Sequence, residues 1–318
     1  MDDARRPHLA PNWTSAAGAL DGILQWLGAP LPRHAVMGLT GHAWHLCLGE
    51  REGVVALPSG PTDMDWEAAV DRYGRTGYRW ERFSGSAADR QVAIAWAAER
   101  LDAGTPLIGW DFHLHEFGIV YGLDRAREGF LVDDILSEDI GAFVAWHDWP
   151  SSLGRIELFA PVEPNEPDPI DTVAGAIETA LACFDGSEAN AGTQARGTRA
   201  LGRWADAFEG DTEIDRAGNA YTLAVLQAAR ADGAAFLADL AESLPELGEP
   251  FHEAERALRD EVKALSPLIT LFPFPAGGHG NVASPGLRQA AAAALRRAAA
   301  HEREATTALR EALRALEE

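Results

Sequence analysis

Lysine is almost absent from this chain of 318 residues: Lys263 is the one lysine among 27 basic residues, and the rest are arginine. That bias is better explained by genome composition than by function. Cations of any kind are scarce against 49 acidic residues, which leaves a formal charge of −22, with −10 over residues 1–160 and −12 over the remainder. A field of one sign spread over the whole chain repels duplex nucleic acid and anionic membrane surfaces and draws cationic small molecules. No nucleic-acid or membrane partner is therefore expected. Cysteine is also rare: Cys47 and Cys183 are too few and too far apart for a disulfide framework or a zinc site, and both are expected to be reduced and buried. No apolar run approaches the roughly 18 residues of a membrane-spanning helix. The opening Met-Asp-Asp-Ala-Arg-Arg-Pro lacks the apolar stretch of a secretory signal, so a cytoplasmic protein is expected.

What is present is the balance of a globular protein, 47% hydrophobic and 24% charged, at a length that suggests two domains. Nine of ten tryptophans lie in the first half, whereas alanine-rich helical patterning fills the second. Between them, Pro161-Val-Glu-Pro-Asn-Glu-Pro-Asp-Pro169 holds four prolines, each forcing its predecessor toward extended geometry. The expected division is 1–162 and 163–318.

In the first part, Ala17, Leu20, Leu24 and Leu27 recur at helical spacing from about Thr14, and Gly28 supplies a stop before Pro30. Further helices are expected over about 63–76 and 87–103. Leu107–Trp110, Phe117–Tyr121, Gly129–Asp133 and Arg155–Phe159 read as strands of a mostly antiparallel sheet, an α+β arrangement. The second part reads as helices throughout, at about 170–184, 195–208, 216–243, 250–265 and 286–316. In the last of these Glu302 falls in register with Leu295, Leu309 and Leu316, and reads as a solvated edge of that apolar row. Gly277-Gly-His-Gly280 has no phosphate-loop lysine and reads as a connecting loop.

Three residues make a candidate constellation. His115 opens an apolar strand whose hairpin partner ends in Asp133-Asp134, so imidazole and carboxylate can meet across the ladder as base and orienting group. Ser15, with Thr14 before it, stands at the amino end of the first helix, where N–H groups and the dipole favour a developing anion. Serine and threonine are also ordinary N-cap residues there. Asp111, His113 and His115 alternate and form a rival reading, a zinc or iron site that His42 or His45 could complete. The expectation favours no metal and no cofactor.

The stretch from Ser15 to Gly28, continuing through Leu31-Pro-Arg-His-Ala-Val-Met-Gly-Leu-Thr-Gly-His-Ala-Trp44, resembles the opening of proteins similar to butirosin biosynthesis protein H. Gly197-Thr-Arg-Ala-Leu-Gly-Arg-Trp204, the segment 230–237 and Glu302-Arg-Glu-Ala305 resemble that family's second half. The resemblance implies a papain-like N-terminal domain followed by an all-helical domain. It also implies acyl transfer, from a carrier-protein thioester through an active-site cysteine to an amine on a small molecule. An acyl carrier protein and an amine-bearing small-molecule substrate are then the implied partners. By position Ser15 stands where the family has its cysteine, with His115 and Asp133 as the remaining triad. Asn12, Trp13, His42 and Trp44 are the candidate substrate contacts. A serine hydroxyl cannot exist as a stable anion beside an imidazolium as a thiolate can, so two expectations stand side by side. One is an acyltransferase or amide/ester hydrolase using Ser15. The other is a catalytically silent ligand- or partner-binding protein.

Overall fold

The chain turns from extended to helical at Thr14 (φ −100°, ψ 99°), and the first helix, α1, is Ser15–Trp26. The structure, a computed structural model, describes residues 6–58, 64–151, 153–187, 194–276 and 278–317. Gly28, at φ +76°, ends α1 where its position before Pro30 predicts a stop. Then come α2 (Arg33–Thr40), the hairpin β1 (Cys47–Arg51) and β2 (Val54–Leu57), α3 (Trp66–Gly74), β3 (Tyr78–Ser86) and α4 (Arg90–Asp102). The start near Asp63 expected for the helix over 63–76 lies outside the described residues. Four further elements follow as β4 (Leu107–Trp110), β5 (Phe117–Asp124), β6 (Gly129–Asp133) and the short α5 (Ser137–Ile140). The rest are β7 (Phe143–Ala145), β8 (Arg155–Pro164), α6 (Pro169–Asp185), β9 (Ala195–Arg196), α7 (Gly197–Glu209), β10 (Glu213–Ile214), α8 (Arg216–Ser243), α9 (Gly248–Leu271) and α10 (Pro285–Leu316). The class is mixed α+β. Among the described residues no helix is long and apolar enough to cross a membrane.

Two compact units divide the chain, one made of Met1–Val36 and Trp66–Pro167, the other of Met37–Asp65 and Asp168–Glu318. One boundary between the units falls at Pro167/Asp168, inside the proline-rich segment, and 37–65 belongs to the second unit. Pairing explains why. Cys47 and Leu48 of β1 pair with Arg196 and Ala195 of β9, and Val54 and Val55 of β2 pair with Glu213 and Ile214 of β10. The second unit is thus not helices only: it carries a four-stranded sheet whose late strands are two residues long, too short to leave a periodic signal.

The first unit holds a six-stranded sheet in the order β3-β8-β4-β5-β6-β7, with every neighbouring pair antiparallel. Ala93, Ile94 and Ala97 of α4 pack with Leu107, Val120, Val132, Leu158 and Trp149 on one face. Helix α1 packs against β4 and β5. Two glycines let the preceding segment cross over α1. A Cβ at Gly22 would lie 1.9 Å from the carbonyl oxygen of His8, and one at Gly18 would lie 2.5 Å from that of Ala10. The Ala10 N–H donates to the Gly18 carbonyl at 3.1 Å, which ties this N-terminal strap to the helix.

In the second unit Trp204, Phe208, Leu223, Leu265, Leu268 and Leu295 build the core, and Trp44, fully buried, packs on Phe184 and Phe236. Glu302 is not a solvated edge. It has no exposure and bonds to Arg230, an arginine equally buried on α8. Periodicity placed Glu302 correctly on the apolar row and could not reveal that its counter-charge comes from another helix. Cys47 and Cys183 are buried and not joined in a disulfide. Between α9 and α10, Gly278 and Gly280 lie in a connecting loop and accept hydrogen bonds from Arg216, at 2.6 and 3.1 Å; Gly277 lies outside the described residues.

Candidate functional site

Antiparallel pairing brings the end of β4, the start of β5, the end of β6 and the start of β8 to one end of the six-stranded sheet. The head of α1 meets the sheet there. Ser15 does not cap its own helix: Thr14 is the N-cap residue and its side chain makes no capping bond. Instead the Ser15 hydroxyl donates to Glu116 Oε2 at 2.5 Å and accepts the Phe117 N–H at 3.0 Å. The two bonds tie α1 to the last residue of the loop before β5, Glu116, and to the first residue of β5, Phe117, and Ser15 is buried. A hydrogen bond of that length to a carboxylate is of the strong, charge-assisted kind.

His115 is elsewhere. Its side chain is half exposed, and Nε2 faces Ser151 Oγ at 3.1 Å and Asp111 Oδ1 at 3.6 Å. No hydrogen bond joins it to Ser15 or Asp133. The physical reason is that residues 111–116 form a loop, with β5 beginning only at Phe117, and the ladder sets Asp133 opposite Ile119. The expected triad of Ser15, His115 and Asp133 is thus not assembled. Asp133 serves the strap: its Oδ2 accepts the Leu9 N–H at 2.8 Å and lies 3.4 Å from His8 Nδ1. The neighbouring Asp134 is the one that holds an imidazole, with His113 Nδ1 at 2.9 Å from its Oδ2. Asp134 also accepts from Ser137 Oγ and the Leu136 N–H, at 2.9 and 3.0 Å, so its carboxylate is fully engaged.

Because His113 turns to Asp134 and His115 to Ser151, the alternating Asp111, His113 and His115 do not share a focus. Among the described residues no group of three such side chains could hold a metal ion.

The four expected substrate contacts are divided between the two units. Asn12 Oδ1 accepts the Thr14 N–H at 2.9 Å, and its Nδ2 is buried without a hydrogen-bond partner. Trp13 is 43% exposed at the entrance to α1. His42 and Trp44 belong to the second unit. Trp44 is a core residue there, with Nε1 donating to the Gly38 carbonyl at 3.0 Å and its ring filling the space that a Cβ on Gly233 would need. His42 is likewise buried.

Glu116 is the residue that sequence reasoning passed over. Its signal was slight: a carboxylate between the noted His115 and the first apolar residue of β5. Asp111, which the sequence offers only as a metal ligand, is a buried carboxylate at φ +71° in the left-handed region. Burial holds its carboxyl above the ordinary value, against the opposing effect of hydrogen bonds from Ser151 and the charge of His115. No protein-family model matches the chain, and neither does any curated protein sequence.

Proposed function

We propose that this is a papain-like protein whose site at the head of α1 binds a small amine-bearing molecule and forms no acyl-enzyme at Ser15. One observation carries the reading: the Ser15 hydroxyl donates to Glu116 at 2.5 Å, and no imidazole among the described residues is hydrogen-bonded to it. Serine needs a base that removes its proton during attack, with a pKa near the working pH. A carboxylate, with an ordinary pKa of about 4.3, is poorly matched to that task at neutral pH. What Glu116 offers is a fixed acceptor for an ammonium group, in a protein whose net charge of −22 already favours cations.

Acyl transfer or hydrolysis through Ser15, with or without an acyl carrier protein as donor, is the second reading. It is favoured by the same hydrogen bond read as a nucleophile aligned on a proton acceptor, at a helix start whose N–H groups suit an oxyanion. Calorimetric titration with a panel of primary amines and aminoglycosides, alongside acyl-thioester consumption, separates the two. The binding reading expects a saturable amine site lost in Glu116→Gln, with background thioester consumption in wild type and Ser15→Ala alike. Turnover in the wild type that disappears in Ser15→Ala would replace it with the enzymatic reading.

A further inference from the structure

At the same end of the six-stranded sheet a second serine has the imidazole that Ser15 lacks. Ser151 Oγ lies 3.1 Å from His115 Nε2, and the ring is 54% exposed, so solvent reaches the pair. Beneath it Asp111, only 1% exposed, accepts the Ser151 backbone N–H on Oδ2 at 2.9 Å. Its Oδ1 is 3.6 Å from His115 Nε2, buried, and has no hydrogen-bond partner. The Leu153 N–H donates to Ser151 Oγ at 3.3 Å; Leu114, which precedes His115, and Leu153, two residues after Ser151, are exposed apolar side chains.

We propose that Ser151 and His115 form an ester-cleaving pair, with Asp111 as a positioning residue, acting on uncharged or cationic esters of short aliphatic acids. The site uses neither Ser15 nor Glu116. Ser151 Oγ attacks the ester carbonyl carbon while His115 Nε2 takes the hydroxyl proton. The carbon–oxygen bond to the alcohol breaks, and His115 passes that proton to the departing alkoxide. Water then attacks the Ser151 ester, giving one proton to His115, which returns it to Ser151 Oγ as the carboxylic acid leaves. Asp111 does not orient the ring through Nδ1, as the third member of a serine triad does. It faces the nitrogen that receives the proton, so the passing imidazolium forms beside a buried negative charge whose attraction is little screened. The acidic surroundings exclude anionic esters, and Leu114 and Leu153 give an aliphatic acyl chain an apolar footing.

The test is labelling of the full-length protein with a fluorophosphonate, followed by peptide mass spectrometry, together with turnover of p-nitrophenyl butyrate. The label is expected on Ser151. Turnover is expected to fall about 100-fold or more in Ser151→Ala and in His115→Gln, and to be unchanged in the surface control Val92→Thr. Asp111→Asn is expected to lower kcat with KM unchanged and with thermal unfolding still cooperative, a split that a purely structural role in the loop would not produce. Label on Ser15 or on neither serine, or wild-type turnover in Ser151→Ala, would overturn the proposal. The label is mapped on the unsubstituted protein, so the outcome stands even where a variant fails to fold.

Discussion

Arg230 and Glu302 meet inside the second unit with Nη2 and Oε1 2.5 Å apart, and neither side chain has any exposure. Arg230 also donates to the Ala43 carbonyl at 2.7 Å, lies over the Phe184 ring at 5.1 Å and sits 3.3 Å from Glu261 Oε1. Burial disfavours the guanidinium charge, yet the two carboxylates together hold Arg230 above its ordinary pKa. Such a cluster pins α8, α9, α10 and the segment around Ala43 to one arrangement, and its charges depend on one another.

Removing one member leaves a buried charge uncompensated, which costs about 3–5 kcal/mol, whereas replacing the whole cluster with apolar side chains is far milder. Arg230→Met and Glu302→Leu should each lose about that much in urea denaturation. The triple variant Arg230→Met/Glu261→Leu/Glu302→Leu should lose less than either single change predicts. Additive losses would show that the three groups are not coupled.

Burial pushes the Glu261 carboxyl up to about 8, with the Glu302 charge adding to the effect and Arg230 opposing it. A carboxyl whose folded pKa lies above its unfolded value binds its proton more tightly in the folded state. Its contribution to stability is full below pH of about 4.5 and is lost as pH rises through about 8. Thermal unfolding followed from pH 5 to 9 should therefore show a falling Tm for the wild type. Glu261→Gln, which stays neutral, should flatten that fall and gain most at the alkaline end.

Gly22→Ala places a methyl group within 1.9 Å of the His8 carbonyl oxygen, a backbone atom that has to move. Overpacking of that kind costs about 1–3 kcal/mol. The strap should loosen first, so hydrogen exchange at the Leu9 and Ala10 amides should accelerate. Asp133→Asn, which weakens the bond to the Leu9 N–H, should produce the same pattern with a smaller loss of stability.

Ser15→Ala removes both hydrogen bonds of that hydroxyl and leaves the Phe117 N–H buried without an acceptor. The expected loss is about 1–3 kcal/mol, the cost of an unsatisfied buried donor, read from denaturant unfolding. An unchanged midpoint would mean that water replaces the hydroxyl at no cost.

Local signals determined most of the elements. The amphipathic periods and end signals that predict helices at 216–243 and 286–316 match α8 (Arg216–Ser243) and α10 (Pro285–Leu316) almost residue for residue. The run Gly129–Asp133 is β6 as read, and Gly28 ends α1 as its φ of +76° requires. These features depend on neighbours within a few residues, which is the range over which periodicity, capping and turn chemistry act. Partner choice was decided only in three dimensions. Whether Ser15 would meet His115 or Glu116 depended on where β5 begins, because a single residue of difference at a strand entry sends consecutive side chains to different neighbours. Residues 37–65 joined the second unit through two-residue strands that no pattern could announce. Glu302 became an interior charge because Arg230, 72 residues away in the chain, was folded against it.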